Sequence, residues 1–248
     1  MESLTTAELA ALLAFIALAA ALYSSVGHGG ASGYLAAMAL FGVAPLVMKP
    51  SALAMNIAVA GLVFYRLWRA GHFDVRLFWP FAAGSIPFAF VGGALTLPGG
   101  VYKILVALAL LIAASRLLWK TQDHEAGATP NIRVALAVGA GLGFLSGLSG
   151  VGGGIFLSPL LLLLRWANMR TTAAVSAAFI LVNSIAGLAG HASVAVLWPA
   201  QLPALMLAAL AGAVVGSELA VRRLAPVTLR RVLSVVLVIA GAKLLLTA

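Results

Sequence analysis

Cysteine is absent from this chain of 248 residues, and carboxylates are scarce, with six Asp and Glu in all. The first absence excludes disulfides and thiolate-bound metals. Charge of either sign is thin: charged residues make up 8% of the chain and hydrophobic residues 63%, with a mean hydropathy of +1.13. Such a chain has too little polar surface to cover a water-soluble globule, which places it in a bilayer. The net charge of +9 raises nucleic acid as a partner, but no basic run exceeds Arg222-Arg223 or Arg230-Arg231. In a membrane chain such charge marks cytoplasmic loops, so no nucleic acid is expected. No nucleotide-binding motif is present, and no metal, cofactor or catalytic residue is expected. The opening, Met1 to Glu8, is acidic rather than basic. It does not read as the start of a cleaved signal peptide, so the first apolar segment is expected to remain.

What the chain does have is apolar segments. They run from Ala7 to Ser25, Tyr34 to Met48, Ser51 to Trp68, Leu77 to Leu97 and Val101 to Trp119, then, after a polar stretch, from Arg133 to Ser149, Ile155 to Trp166, Thr171 to Ala192, Val194 to Leu219 and Thr228 to Leu246. A full crossing needs about 20 helical residues. The second segment of each half is too short for that, which predicts a tilted or partial crossing. The division is therefore a first membrane repeat at 1–120, a polar cytoplasmic linker at 121–132 and a second repeat at 133–248.

The repeat is written most clearly in two Gly/Ser-rich interruptions, Ser24-Ser25-Val26-Gly27-His28-Gly29-Gly30-Ala31-Ser32-Gly33 and Leu145 to Pro159. Gly27, Gly29 and Gly30 fall on Gly150, Gly152 and Gly153 when the halves are superposed. Alternate connections divide the Lys and Arg residues unevenly. One side holds Arg66, Arg69, Arg76, Arg116, Lys120, Arg133, Arg165, Arg170, Arg222, Arg223, Arg230 and Arg231; the other holds only Lys49, Lys103 and Lys243. The basic side is assigned to the cytoplasm and both termini to the outside of the inner membrane. Five segments per half, an odd number, turn the second half upside down relative to the first. The expected fold is an all-α integral membrane protein of two inverted repeats, with Gly-rich helix breaks between segments 1 and 2 and between segments 6 and 7. This is the sequence pattern of secondary transporters, whose broken helices meet near the midplane.

Backbone that leaves a helix inside hydrocarbon exposes groups whose unpaired burial costs several kcal/mol each, so it survives only against protein or a wet cavity. Helices restarting near Gly30 and Gly153 would aim free N–H groups and the positive dipole end at such a cavity, where a carboxylate, sulfonate or similar oxyanion fits. Ser24, Ser25, Ser146 and Ser149 would add hydroxyl donors. The plain alternative is that the glycines only permit close helix packing. The candidate substrate-binding residues are Ser24, Ser25, Gly27, His28, Gly29, Gly30, Asn56, Ser149, Gly150, Gly152, Gly153, Gly154 and Asn183. His28 could donate to an anion, carry a proton or simply bond a freed carbonyl. Asn56 and Asn183 lie in the third segment of each half, where an amide could reach an oxyanion or glue helices together. Glu218 is expected to pair with Arg222 or Arg223, and His191 to sit at the outer interface. Trp68, Trp79, Trp119, Trp166 and Trp198 fall at segment ends as an aromatic belt would.

The run Gly150-Val151-Gly152-Gly153-Gly154 with Pro159 behind it, its first-half counterpart, and the basic passage Arg170-Thr171-Thr172-Ala173-Ala174 together resemble the TauE/SafE family of membrane permeases. The resemblance extends over essentially the whole chain. It implies a permease for sulfite, sulfoacetate or related organosulfur anions. The first break carries His28 and Ala31 where the second has Val151 and Gly154.

Two other classes share some of these features. Gly30-Ala31-Ser32-Gly33 and Gly147-Leu148-Ser149-Gly150 fit the Gly-x-Ser-Gly pattern of rhomboid-like intramembrane proteases, with His191 as an imaginable base for Ser149. A passive anion channel would also place polar breaks in a membrane. The reading adopted is a secondary transporter and not an enzyme, moving small anions by alternating access. Its partners are the anion, the lipid bilayer, a coupling proton or cation and, as candidate assembly, a homodimer.

Overall fold

The computed structural model describes residues 4–118, 127, 129–194, 198–222 and 227–248. Ten helices follow one another in it: α1 (Thr6–Ser24), α2 (Ala31–Leu40), α3 (Pro45–Arg69), α4 (Val75–Ala94), α5 (Gly99–Leu118), α6 (Ile132–Ser149), α7 (Gly154–Leu163), α8 (Met169–Ala192), α9 (Leu202–Arg222) and α10 (Val227–Leu246). No strand occurs among the described residues. Helices α1, α3, α4, α6 and α8 are long and apolar enough to cross a membrane. Helices α2 and α7 have ten residues each. That is about 15 Å of rise, half of a hydrocarbon core of roughly 30 Å. Most of the expected linker lies outside the described residues, as does Trp119.

Two boundaries depart from the hydropathy reading. The second segment stops at Leu40 rather than Met48, because Gly42 (φ 71°) closes a left-handed turn in which Val43 N–H reaches the Met38 carbonyl at 2.9 Å. Pro45 then opens α3 at its first turn, where a missing N–H is harmless. The ninth segment begins at Leu202 rather than Val194, with Pro203 at the second helical position for the same reason.

Packing partners exchange between the halves. Helix α4 lies on α6 and α8; α9 lies on α1 and α3; α3 faces α8 and α5 faces α10. The α4–α6 contact is a close backbone seam. Gly139, Gly143 and Gly147 of α6 stand against the carbonyls of Phe81, Ser85 and Ala89 of α4, one turn per step. Gly212 and Gly216 of α9 meet Ala17 and Ala21 of α1 in the same way. In lipid, where apolar surface alone gives no association, such small-residue stripes let dispersion and Cα–H contacts hold helices together. Outward faces carry Phe88, Val91, Leu207 and Val215, all exposed as lipid-facing residues would be, and Trp68, Trp79 and Trp198 are exposed too. Glu218 reaches Arg66 of α3 at 3.5 Å, tying α9 to α3, whereas the side chains of Arg222 and Arg223 lie outside the described residues.

Candidate functional site

The two breaks have matching local geometry. Helix α2 restarts after Gly30 (φ 104°) and α7 after Gly153 (φ 78°), both left-handed, and neither N-terminus is capped by a side chain. Only glycine takes that conformation without strain. The free N–H groups and the helix dipole therefore point into each break.

The breaks also converge. A Cβ added at Gly29 would stand 2.6 Å from Asn56 Oδ1 and 3.0 Å from Ile180; one added at Gly152 would stand 2.7 Å from Asn56 Nδ2 and 2.9 Å from the same isoleucine. One amide of α3 thus touches both interruptions. Its Nδ2 donates to the Val151 carbonyl at 3.3 Å, while Oδ1 is buried without a partner. Two further buried hydroxyls without partners lie at the second break: a Cβ added at Gly152 would stand 3.3 Å from Ser184 Oγ, and one added at Gly153 3.2 Å from Ser146 Cβ. Buried polar groups are rarely left unpaired, so a cluster of them marks a place that water or a polar ligand fills.

The remaining candidates divide by what their protons already do. Ser25 donates to the Leu22 carbonyl and Ser149 to the Leu145 carbonyl, each at 2.7 Å. Those hydroxyls are bound into their own helices and have no proton left for a ligand. Ser32 donates to the Tyr23 hydroxyl at 2.8 Å. Neither Gly-x-Ser-Gly serine therefore offers its proton to an imidazole. Asn183 back-bonds to the Phe179 carbonyl at 2.8 Å. The α8 residue that shares the junction with Asn56 is Ile180, three positions before it. Gly27 lies against Ala173 of α8 and Gly150 against Lys49 of α3. Gly154 packs on Ile180 and the Ser176 carbonyl.

His28 bridges the halves. Its Nδ1 lies 3.0 Å from the Val26 carbonyl and its Nε2 2.9 Å from Ser158 Oγ on α7. Ser158 in turn contacts Ser176 Oγ of α8 at 2.7 Å and the Gly154 carbonyl at 2.9 Å.

A cavity of about 360 Å³ opens beside the second break, lined among others by Lys49, Thr96, Tyr102, Leu148 and His191. Lys49 is 5% exposed, and its ammonium donates to the carbonyls of Gly92, Gly93 and Leu95 at 3.2, 2.8 and 3.2 Å. It closes the C-terminal end of α4, where a cation complements the dipole. Tyr102 reaches from the cavity wall to the Ser149 carbonyl at 3.2 Å.

Comparison with known proteins agrees with this architecture. The family described as "Sulfite exporter TauE/SafE" matches residues 12–244. The chain belongs to the TauE/SafE family. It is a multi-pass membrane transporter. Over 238 residues it is 38% identical to the "Probable membrane transporter protein y4hK" of Sinorhizobium fredii (strain NBRC 101917 / NGR234), covering 94% of this chain and 96% of the relative. No solved structure matches it.

In this TauE/SafE transporter, sequence reasoning singled out the breaks and Asn56 as candidates but not Ser51, Ser158, Ser176, Ser184 or the Lys49 clamp. A serine or lysine at membrane depth was the available signal. The partners of Lys49 at the end of α4, 43 to 46 residues on, and the pairing of Ser158 with His28, 130 residues away, were not.

Proposed function

We propose that this transporter carries small anions, with sulfite and organosulfonates such as sulfoacetate as the leading substrates, by alternating access. The observation that carries the reading is Asn56 standing between two uncapped helix N-termini, with the buried Ser146 and Ser184 hydroxyls at the second break lacking partners. Positive dipole ends suit an oxyanion, and the unpaired donors suit its remaining lone pairs.

The halves act as inverted repeats in this reading, which the exchange of helix partners and five helices per half support. The basic bias puts both termini outside the inner membrane. Rocking one half against the other about the Asn56 junction would open each break in turn, driven by an ion gradient.

Thermal-shift binding to sulfite, sulfoacetate, other sulfonates, thiosulfate and simple carboxylates, followed by flux into liposomes, tests the reading. Saturable binding of a sulfur oxyanion with uphill accumulation under an imposed ion gradient is expected. Flux that only ever runs downhill would make it a channel, and no binding by any of these anions would remove the substrate assignment.

A further inference from the structure

We propose that His28 is a proton-binding site of this transporter, its charge read out by the Ser158 hydroxyl across the junction of the two halves. The proposal rests on the permease reading above and names its coupling ion.

Counting hydrogens leads there. A carbonyl only accepts, so the Val26 oxygen 3.0 Å from Nδ1 fixes a hydrogen on that nitrogen. A neutral ring then has only a lone pair at Nε2. Ser158 has a single hydroxyl hydrogen and three neighbours: His28 Nε2 at 2.9 Å, the Gly154 carbonyl at 2.9 Å and Ser176 Oγ at 2.7 Å. With neutral His28, Ser158 must give that hydrogen to Nε2, and the Ser158 and Gly154 oxygens face each other with none between them. With protonated His28, Nε2–H donates to Ser158, Ser158 donates to Gly154 and Ser176 donates to Ser158, whose oxygen has two lone pairs. All four contacts are then satisfied. One proton taken from water reverses the His28–Ser158 bond and turns one hydroxyl; no other group changes its proton.

The surroundings suit this role. His28 is partly exposed. Helix α1 presents the Tyr23 ring edge-on at 6.5 Å, and α2 presents Tyr34, whose hydroxyl bonds the Gly29 carbonyl at 2.6 Å. Helices α7 and α8 present Ser158 and Ser176, which do not ionise, and α3 presents Asn56 at Gly29. Lys49 stands against Gly150 of the other break. The imidazole is two residues from Gly30, where the N-terminus of α2 opens. A positive ring there strengthens anion binding, and by reciprocity a bound anion strengthens protonation. Anion and proton therefore travel in the same direction.

Sulfoacetate is the suitable probe, because its own charge does not change near neutral pH. In proteoliposomes loaded with the pH dye pyranine, an inward sulfoacetate gradient should acidify the lumen. Binding by the wild type should strengthen about threefold or more between roughly pH 8 and pH 6. His28→Gln keeps a polar side chain that cannot take up a proton, and should flatten that profile. Independently of transport, nitrogen-15 histidine spectra in nanodiscs, assigned with His28→Gln, should show His28 titrating between about pH 5 and 8. Ser158→Ala should move that midpoint to lower pH, since the charged ring loses its acceptor. A His28 that does not titrate in this range, a midpoint unmoved in Ser158→Ala, or an undiminished pH dependence in His28→Gln overturns the proposal. If sulfoacetate is not carried at all, the substrate assignment falls, while the histidine spectra still decide the proton site.

Discussion

Asn56 of the first half donates its amide to the Val151 carbonyl of the second at 3.3 Å, so the second break is held by a side chain from the other half of the chain. Asn56→Ala removes that donor and leaves the carbonyl in a buried setting, at a cost of about 1–3 kcal/mol. It also deletes the amide that touches both breaks. Anion binding should weaken tenfold or more, with a lowered melting temperature. Asn183→Ala should do much less to binding, because that amide bonds within its own helix at Phe179. Thermal-shift titration of both variants checks the contrast; equal losses would make the two amides equivalent.

Close approach at the junction gives a second expectation. Gly29→Ala and Gly152→Ala each drive a methyl into the Asn56 amide, at 2.6 and 2.7 Å. Gly152 also has φ of 86°, which adds about 1–2 kcal/mol for any residue with a Cβ. Gly152→Ala should therefore be the less stable variant of the two. Gly141→Ala, where a Cβ meets nothing within 4 Å, should be neutral or slightly stabilising. Melting temperatures in detergent rank the three, and a Gly152→Ala no worse than Gly29→Ala would show that the backbone there relaxes.

How far the chain could be read before it was seen folded depends on the range of each interaction. The breaks were legible because Gly-rich polar backbone in hydrocarbon has few explanations, and helices restart at Ala31 and Gly154, next to the expected positions. The end of α2 was misplaced because apolar residues continue to Met48, although Gly42 and Pro45 carried the stop and start signals. His28 could be singled out as ionisable. Its partner Ser158 is one small hydroxyl in an apolar helix 130 residues away, with nothing in local spacing to mark it. The same holds for Lys49, which looked like a loop charge until its carbonyl partners on α4 were in place.

That clamp predicts a structural effect of its own. Lys49→Met keeps the stem but removes three charge-assisted bonds at the end of α4, each of a kind worth about 1.5–3 kcal/mol. They share one ammonium, so the total loss should be nearer to a few kcal/mol than to their sum. Lys49→Arg should recover part of it, its guanidinium being broader but still a donor. The measurement is thermal stability of the purified variants, alongside labelling of a cysteine placed at Thr96, beside the cavity. Faster labelling in Lys49→Met would show α4 loosened at that end; unchanged labelling and stability would show the clamp to be replaceable by lipid headgroups or water.

The two halves also differ at a turn where glycine would be expected twice. Gly42 (φ 71°) and Arg165 (φ 55°) occupy matching places after α2 and α7. Each closes the same pair of bonds, Gly42 N to Ala39 O with Val43 N to Met38 O, and Arg165 N to Leu162 O with Trp166 N to Leu161 O, at 2.8–3.2 Å. A left-handed residue with a side chain costs about 1–2 kcal/mol, offset in part by the greater freedom glycine has when unfolded. Arg165→Gly should therefore stabilise by about 1 kcal/mol, or roughly 2–4 °C in melting temperature for a chain of this size. Gly42→Ala should lose a similar amount. If Arg165→Gly instead melts lower, the exposed guanidinium contributes more at the membrane surface than its backbone strain removes. The comparison is sharpest in liposomes of anionic against neutral lipid, because only the headgroup contribution changes between them.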